Sequence, residues 1–239
     1  MLADSQNLTP RLGSLDRELQ LPATFMRELL DFIAQELPAW RDDPRRPNET
    51  SEARLSDHLC SYLNSAARHR RGWDILQFRQ EVPDDTDRLR TLDLAAAPCG
   101  VTLWVAGRQT TIFDTILPIE CKRLPTPAGA RRDEREYVFN KHSSTGGIQR
   151  FKQSHHGATH PLAAMIGYIQ EGTATAWHTR TTDWINGLIT SQERGWSAGD
   201  QLHLERNDSV NKIAVLSSFH TRADSRTDIE LCHLWIQMH

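Results

Sequence analysis

The two residues best placed to do chemistry in this sequence are Glu120 and Lys122, inside the apolar run 116–124. Read as a strand, that run turns Leu117, Ile119 and Cys121 to one face and Pro118, Glu120 and Lys122 to the other. The carboxylate and the ammonium then stand roughly 6.5–7 Å apart along the strand, close enough for both to reach one bound phosphate. A bare Glu-x-Lys is commonly a solvated ion pair, so its neighbours decide what it does.

Asp93 is one such neighbour. Leu92 and Leu94 share a face of the alternating run 89–95, which presents Asp93 mid-strand on the polar side, where Asp is disfavoured. Glu52 lies in the first turn of a helix read over 51–68, a place the helix dipole favours for any carboxylate. The stretch 143–147 is rich in glycine and serine and opens onto Ile148, Gln149, Arg150, Phe151 and Lys152. A Gly-Gly entry to a short helix is a usual way to bring backbone N–H groups near an anion.

These residues need elements to hold them. An amphipathic helix over 23–37, closed by Pro38, precedes the helix at 51–68. Alternation predicts a hairpin, 75–82 with 89–95, about an acidic turn, then a short strand at 101–105. After the 116–124 strand come a polar loop at 125–135, a buried strand at 161–169 and a helix at 176–189. Two strands, 212–220 and 229–238, complete the sheet. Residues 1–20 have few apolar anchors and read as a loosely ordered arm, with 21–239 as a single domain.

Length and composition fit one ordinary globular domain of 239 residues. No apolar run approaches ~18 residues and no signal-peptide pattern opens the chain, which predicts a cytoplasmic protein with no membrane partner. Cys60, Cys99, Cys121 and Cys232 form no Cys-x-x-Cys pair and read as reduced thiols. The net charge of −3 argues against a polycation but leaves local basic patches at 45–46, 68–71, 131–132 and 150–152. His155, His156, His160, His220 and His233 lack zinc-site spacing, and no phosphate-binding loop, dinucleotide turn or nucleophile elbow is present.

In order, a helix with Glu52, a hairpin with Asp93, a strand with Glu120-Cys121-Lys122 and a helix with Gln149 resemble the PD-(D/E)xK superfamily of restriction-endonuclease-like nucleases. The resemblance covers residues 50–170 and implies an α/β fold whose restriction-endonuclease-like core is a mixed β-sheet flanked by helices. It makes Asp93 and Glu120 the metal carboxylates, Lys122 the catalytic lysine, Glu52 an added helical ligand and Gln149 a polar residue on the following helix. Leu92 stands where the motif has proline, and the long gap from Asp93 to Glu120 implies an extra element between the strands. Asp114 is a rival to Asp93. Were 110–120 one strand, however, roughly 20 Å would separate Asp114 from Glu120, too far to share an ion unless the chain turns near 114. Glu49 is the fallback for Glu52, since a helix start is uncertain by a few residues.

Carboxylate oxygens from Asp93, Glu120 and Glu52, with the Cys121 carbonyl, suit Mg2+ or Mn2+. Arg150 and Lys152, with Arg131 and Arg132, are expected to form a basic rim for a phosphate backbone. The favoured expectation is thus a metal-dependent nuclease acting on nucleic acid, DNA foremost, with restriction or anti-phage defence as the setting. The alternative is a catalytically silent nucleic-acid-binding subunit of a larger assembly. A third class would use Trp177, Trp184, Trp196 and Trp235 as a partner surface, although tryptophans are more often core. A protein partner or a homodimer is open under all three.

Overall fold

A computed structural model describes residues 18–84, 86–129, 132–222 and 227–239. The elements are β1 (Glu18–Gln20), α1 (Phe25–Arg41), α2 (Glu52–His69), β2 (Leu76–Pro83), β3 (Thr91–Pro98), β4 (Thr102–Val105), β5 (Arg108–Thr110) and β6 (Leu117–Leu124). They continue with α3 (Gly147–Lys152), β7 (Leu162–Ile169), α4 (Ala174–Thr190), a 3-10 turn (Ala198–Asp200), β8 (His203–Asp208), β9 (Ile213–His220) and β10 (Ile229–Gln237). Seven strands make a mixed sheet in the order β2-β3-β6-β7-β10-β9-β8, and β1-β4-β5 make a small second sheet. The architecture is mixed α/β. No helix among the described residues is long and apolar enough to cross a membrane.

Period-3.6 stripes on α1 and α2, including Leu29, Ile33, Leu55 and Leu59, cover one face of the large sheet and meet Leu94, Ile119, Cys121 and Ile166. The other face is covered by Tyr137, Ile148 and Phe151 together with Ile185 and Leu188 of α4. β6 lies between both layers, so even its polar face is enclosed. Pro118 is tolerated in this central strand because the ladder to β7 begins one residue later, at Ile119.

Two expectations need correction and a third gains its detail. The first helix does not close at Pro38 but runs on to Arg41, carrying the buried Trp40 into the core. Residues 18–20 of the expected arm form β1, which pairs parallel with Thr102–Trp104 and packs Leu19 on the core; residues 1–17 lie outside the described residues. The gap between Asp93 and Glu120 holds the β4–β5 hairpin, turned at Ala106 and Gly107, both at positive φ as a two-residue hairpin turn requires.

A buried polar chain joins the C-terminal strands to α3. Trp235 Nε1 donates to the Tyr137 hydroxyl (2.7 Å), which lies 2.8 Å from His233 Nδ1. His233 Nε2 and His220 Nε2 each lie 2.7 Å from Ser218 Oγ, and His220 Nδ1 lies 2.6 Å from Asp200 Oδ1, the oxygen that Lys152 also contacts. With both imidazoles neutral, the donor count admits one arrangement. Asp200 only accepts, so the His220 proton sits on Nδ1 and Nε2 takes the Ser218 hydroxyl. Ser218 Oγ then accepts from His233 Nε2–H, and His233 Nδ1 accepts from Tyr137. Ser218, His220 and Asp200 have the spacing of a hydrolytic triad, but Ser218 is fully buried and hydrogen-bonded on both sides, so the chain is structural.

Burial lowers the pKa of His220 against the opposing pull of Asp200 and lowers that of His233 much further. Asp200 goes down to about 2, since hydrogen bonds from His220 and Lys152 outweigh its burial. The unfolded chain therefore takes up protons near pH 6.5 that the native protein refuses, and stability present above that pH is lost as pH falls below it. The urea midpoint should drop between about pH 7 and pH 5, and drop less in His233→Gln, which has no proton to accept. A midpoint with the same pH dependence in both proteins would refute the neutral arrangement. Asp200→Ala, which leaves Lys152 buried without a counter-charge, should cost about 3–5 kcal/mol.

Candidate active site

Where β3 and β6 part, the chain creates a demand for acceptors. Their antiparallel ladder covers only Ala96–Leu117, Ala95–Pro118 and Leu94–Ile119, while β6 continues to Leu124 alongside β7. The next β6 N–H groups are answered by side chains instead: Asp93 Oδ2 accepts from Cys121 N at 2.7 Å, and Glu52 Oε2 accepts from Arg123 N at 3.0 Å. Both carboxylates are thereby fixed at the strand edge. Ser51 starts α2 in extended conformation, which sets Glu52 in the first turn facing β6.

Lys122 occupies the centre of this group. Its Nζ lies 2.8 Å from Glu120 Oε1, 3.1 Å from Glu52 Oε1, 3.7 Å from Asp93 Oδ2 and 2.9 Å from the Cys121 carbonyl oxygen. Arg150 Nη1 reaches Glu120 Oε1 at 2.7 Å, and His156 Nδ1 stands 3.1 Å from Glu120 Oε2 without forming a hydrogen bond. Glu120 is fully buried, whereas 30% of the Asp93 side chain is open to a cleft of about 550 Å³. Arg90, Arg132, Asn140, Ser144 and His155 line the same cleft.

The charges sort themselves unequally. Burial would raise the Glu120 carboxyl, but Lys122, then His156 and Arg150, hold it well below the usual carboxylate range. Burial also opposes the Lys122 charge, and Glu120, Asp93 and Glu52 together lift its pKa well above that of a free lysine. Asp93 is left short of positive charge. Its burial and the adjacent Glu120 push it up to about 7 despite the pull of Lys122. The Cys121 thiol, buried next to Asp93, is raised well above its ordinary value and is no nucleophile.

Glu52, Asp93, Glu120 and Lys122 thus come together as one group, with the Cys121 carbonyl beside them and Arg150 behind Glu120. Glu49 turns to Arg54, and Asp114 spends its carboxylate on Thr111 N and Oγ1 in a turn before β6. Two residues of α3 expected to meet nucleic acid, Lys152 and Gln149, are corrections. Positions 150 and 152 are about 200° apart around a helix, so with Arg150 in the cleft Lys152 faces away, buried against Asp200 and the Trp196 ring. Gln149 is also buried, its Oε1 accepting from Gly146 N and Asn140 N as a cap on α3.

Nor are the α3 N–H groups free for an anion. Those of Gly147, Ile148 and Gln149 donate to the carbonyls of Glu136, Tyr137 and Val138. The glycines serve close packing instead, for a Cβ on Gly146 would fall 2.5 Å from Phe139 Cα. Arg132 lies on the cleft, paired with Glu136, and Arg131 is outside the described residues. His155 and His156 were missed as site residues. They sit in a loop without periodicity, and only the fold returns that loop to Glu120.

Among the described residues no three potential ligands are grouped as a ready metal site, because the Lys122 ammonium stands where their oxygens converge. The donor chemistry nevertheless fits a hard divalent ion, and Glu120 Oε2 is buried without a hydrogen bond. Glu52, Asp93 and Glu120 would hold it.

In metal-free protein at pH 8, Asp93→Asn keeps the acceptor for Cys121 N–H and removes an unfavourable charge. It should melt about 2–4 °C higher, a gain of about 1 kcal/mol after solvent screening. The gain should vanish at pH 4, where Asp93 already holds its proton in the folded protein. A variant melting lower at pH 8 would make ionised Asp93 a net stabiliser.

No known protein family, no curated protein and no solved structure matches this chain.

Proposed function

We propose that this chain is a divalent-metal-dependent nuclease of PD-(D/E)xK type, with a restriction-endonuclease-like core and DNA as its substrate class. One observation carries the reading: carboxylates from three separate elements, α2, β3 and β6, converge on a single lysine at the floor of an open cleft. The order α2, β2-β3-β6, α3 supports it, being the helix, hairpin, strand and helix on which the resemblance rests.

Bound at Glu52, Asp93 and Glu120, Mg2+ or Mn2+ would supply Lewis acidity toward a phosphate and toward water. The protein's own groups do the positioning. With those carboxylates engaged by the ion, Lys122 would be free to donate to a non-bridging phosphate oxygen or to orient the attacking water. Arg150 fixes the Glu120 carboxylate in place, which in turn fixes the ligand geometry. Arg90 and Arg132 add positive charge along the cleft without reading sequence.

A second reading keeps the nucleic-acid binding and drops the chemistry. It is favoured by the Lys122 ammonium, which already stands within 4 Å of all three carboxylates in the protein as it is.

Cleavage assays with Mg2+ and Mn2+ on single- and double-stranded DNA and RNA separate the two. For a nuclease, Lys122→Ala should keep metal binding and cut at least 100-fold more slowly, a loss of about 2.7 kcal/mol or more of transition-state stabilisation. Asp93→Ala and Glu120→Ala should lose Mn2+ binding itself, read by paramagnetic resonance. Wild-type binding of nucleic acid with no cleavage in either metal, and no Mn2+ signal, would leave the silent subunit.

A further inference from the structure

Among the described residues five large apolar side chains are exposed; Leu89, at 96%, is the most open, and it lines the cleft. The turn that carries it is held firmly from within. Buried Asp84 accepts from Thr86 N and Thr86 Oγ1 through one oxygen and from Gly157 N through the other, and its own N–H donates to Arg90 O. Asp87 accepts the Leu89 N–H at 3.0 Å and pairs with Arg90 Nε at 3.3 Å. The backbone is therefore tied down on both sides of a side chain that touches almost nothing.

Leu89 is flanked by Arg88, which is exposed, and Arg90, which lies on the cleft. Arg90 is offset by its Asp87 pair, so the apolar tip has an exposed cation on one side and a paired one on the cleft side, which matches a sugar–phosphate strand whose base is turned toward the tip. A protein partner fits less well, because one leucine is far smaller than the apolar centre of a stable interface. Four Cα–Cα steps separate Leu89 from Asp93, a span of at most about 14 Å. At about 3.4 Å per nucleotide of a strand, that is within about four nucleotides of a phosphate held at Asp93.

Building on the nuclease reading, we infer that Leu89 is a wedge that enters the base stack beside the cleaved phosphate. The enzyme then favours DNA in which a base near the cut is already unpaired, because the wedge has less stacking to overcome there.

Full-length Lys122→Ala protein, bound in Mg2+ to duplexes carrying the fluorescent base 2-aminopurine at successive positions, tests the wedge without cleavage. Fluorescence should rise several-fold at one position within about four nucleotides of the wild-type cut, as unstacking relieves quenching. The rise should be lost in Leu89→Ser and kept in Leu89→Phe. Preference for a mismatched over a matched duplex, about tenfold with Leu89, should fall to about one with Ser.

A rise that survives Leu89→Ser, or no rise at any position on a duplex that the wild type cuts, overturns the wedge and leaves the nuclease standing. A Leu89-dependent rise on DNA that the wild type never cuts keeps the wedge and removes the nuclease. A change in sedimentation of nucleic-acid-free protein on Leu89→Ser, without loss of the rise, would make Leu89 a protein contact. Failure to bind any nucleic acid removes both.

Discussion

The early end of the β3–β6 ladder governs the structure around the cleft. A buried backbone N–H must find an acceptor. β6 continues past its last partner on β3 because β7 still pairs with it, and its freed edge recruits the carboxylates of Asp93 and Glu52. Two acidic groups are thereby placed side by side for a structural reason before any functional one. With Glu120 on the adjacent buried face, three negative charges then occupy a space that water only partly reaches, and Lys122 becomes obligatory.

Lys122 has consequences beyond neutralisation. An ammonium held by three carboxylates and a carbonyl is costly to remove while they stay charged, so the floor of the metal-free cleft is an ionic cluster. Arg150 takes a further share of Glu120, which leaves Asp93 as the group whose charge is least compensated. Asp93 is also the most open of the group to the cleft. An incoming cation thus meets first the carboxylate with the most to gain from it.

The four central residues were legible because each depended on local rules. Strand alternation put Glu120 and Lys122 on one face and Asp93 opposite Leu92 and Leu94, and a helix start put a carboxylate at Glu52. Asp114 could be judged only once the chain was seen to turn at Thr111–Asp114. What failed was long-range. Lys152 read as a surface cation, but its partner Asp200 is supplied by a 3-10 turn 48 residues away. The Gly-Gly stretch read as an anion cradle, but the preceding segment brings carbonyls to the N–H groups of Gly147, Ile148 and Gln149, and the Gln149 side chain takes that of Gly146. β8 gave no signal because, as an exposed edge strand, it has no apolar alternation to display.

The short helix α3 joins the cleft to the buried network under the C-terminal strands. On one side Arg150 is held by Glu120, and on the other Lys152 is held by Asp200, which ends the polar chain running back through His220, Ser218 and His233 to Tyr137. Tyr137 also takes the Ile148 N–H on its carbonyl, so the same residue anchors the helix start and the far end of the chain. A helix of six residues has too few internal bonds to be rigid alone. Held on opposite faces by these two ion pairs, it fixes Arg150, and through Arg150 the orientation of Glu120. The buried network under the C-terminal strands is therefore part of what shapes the cleft, although none of its side chains lines it.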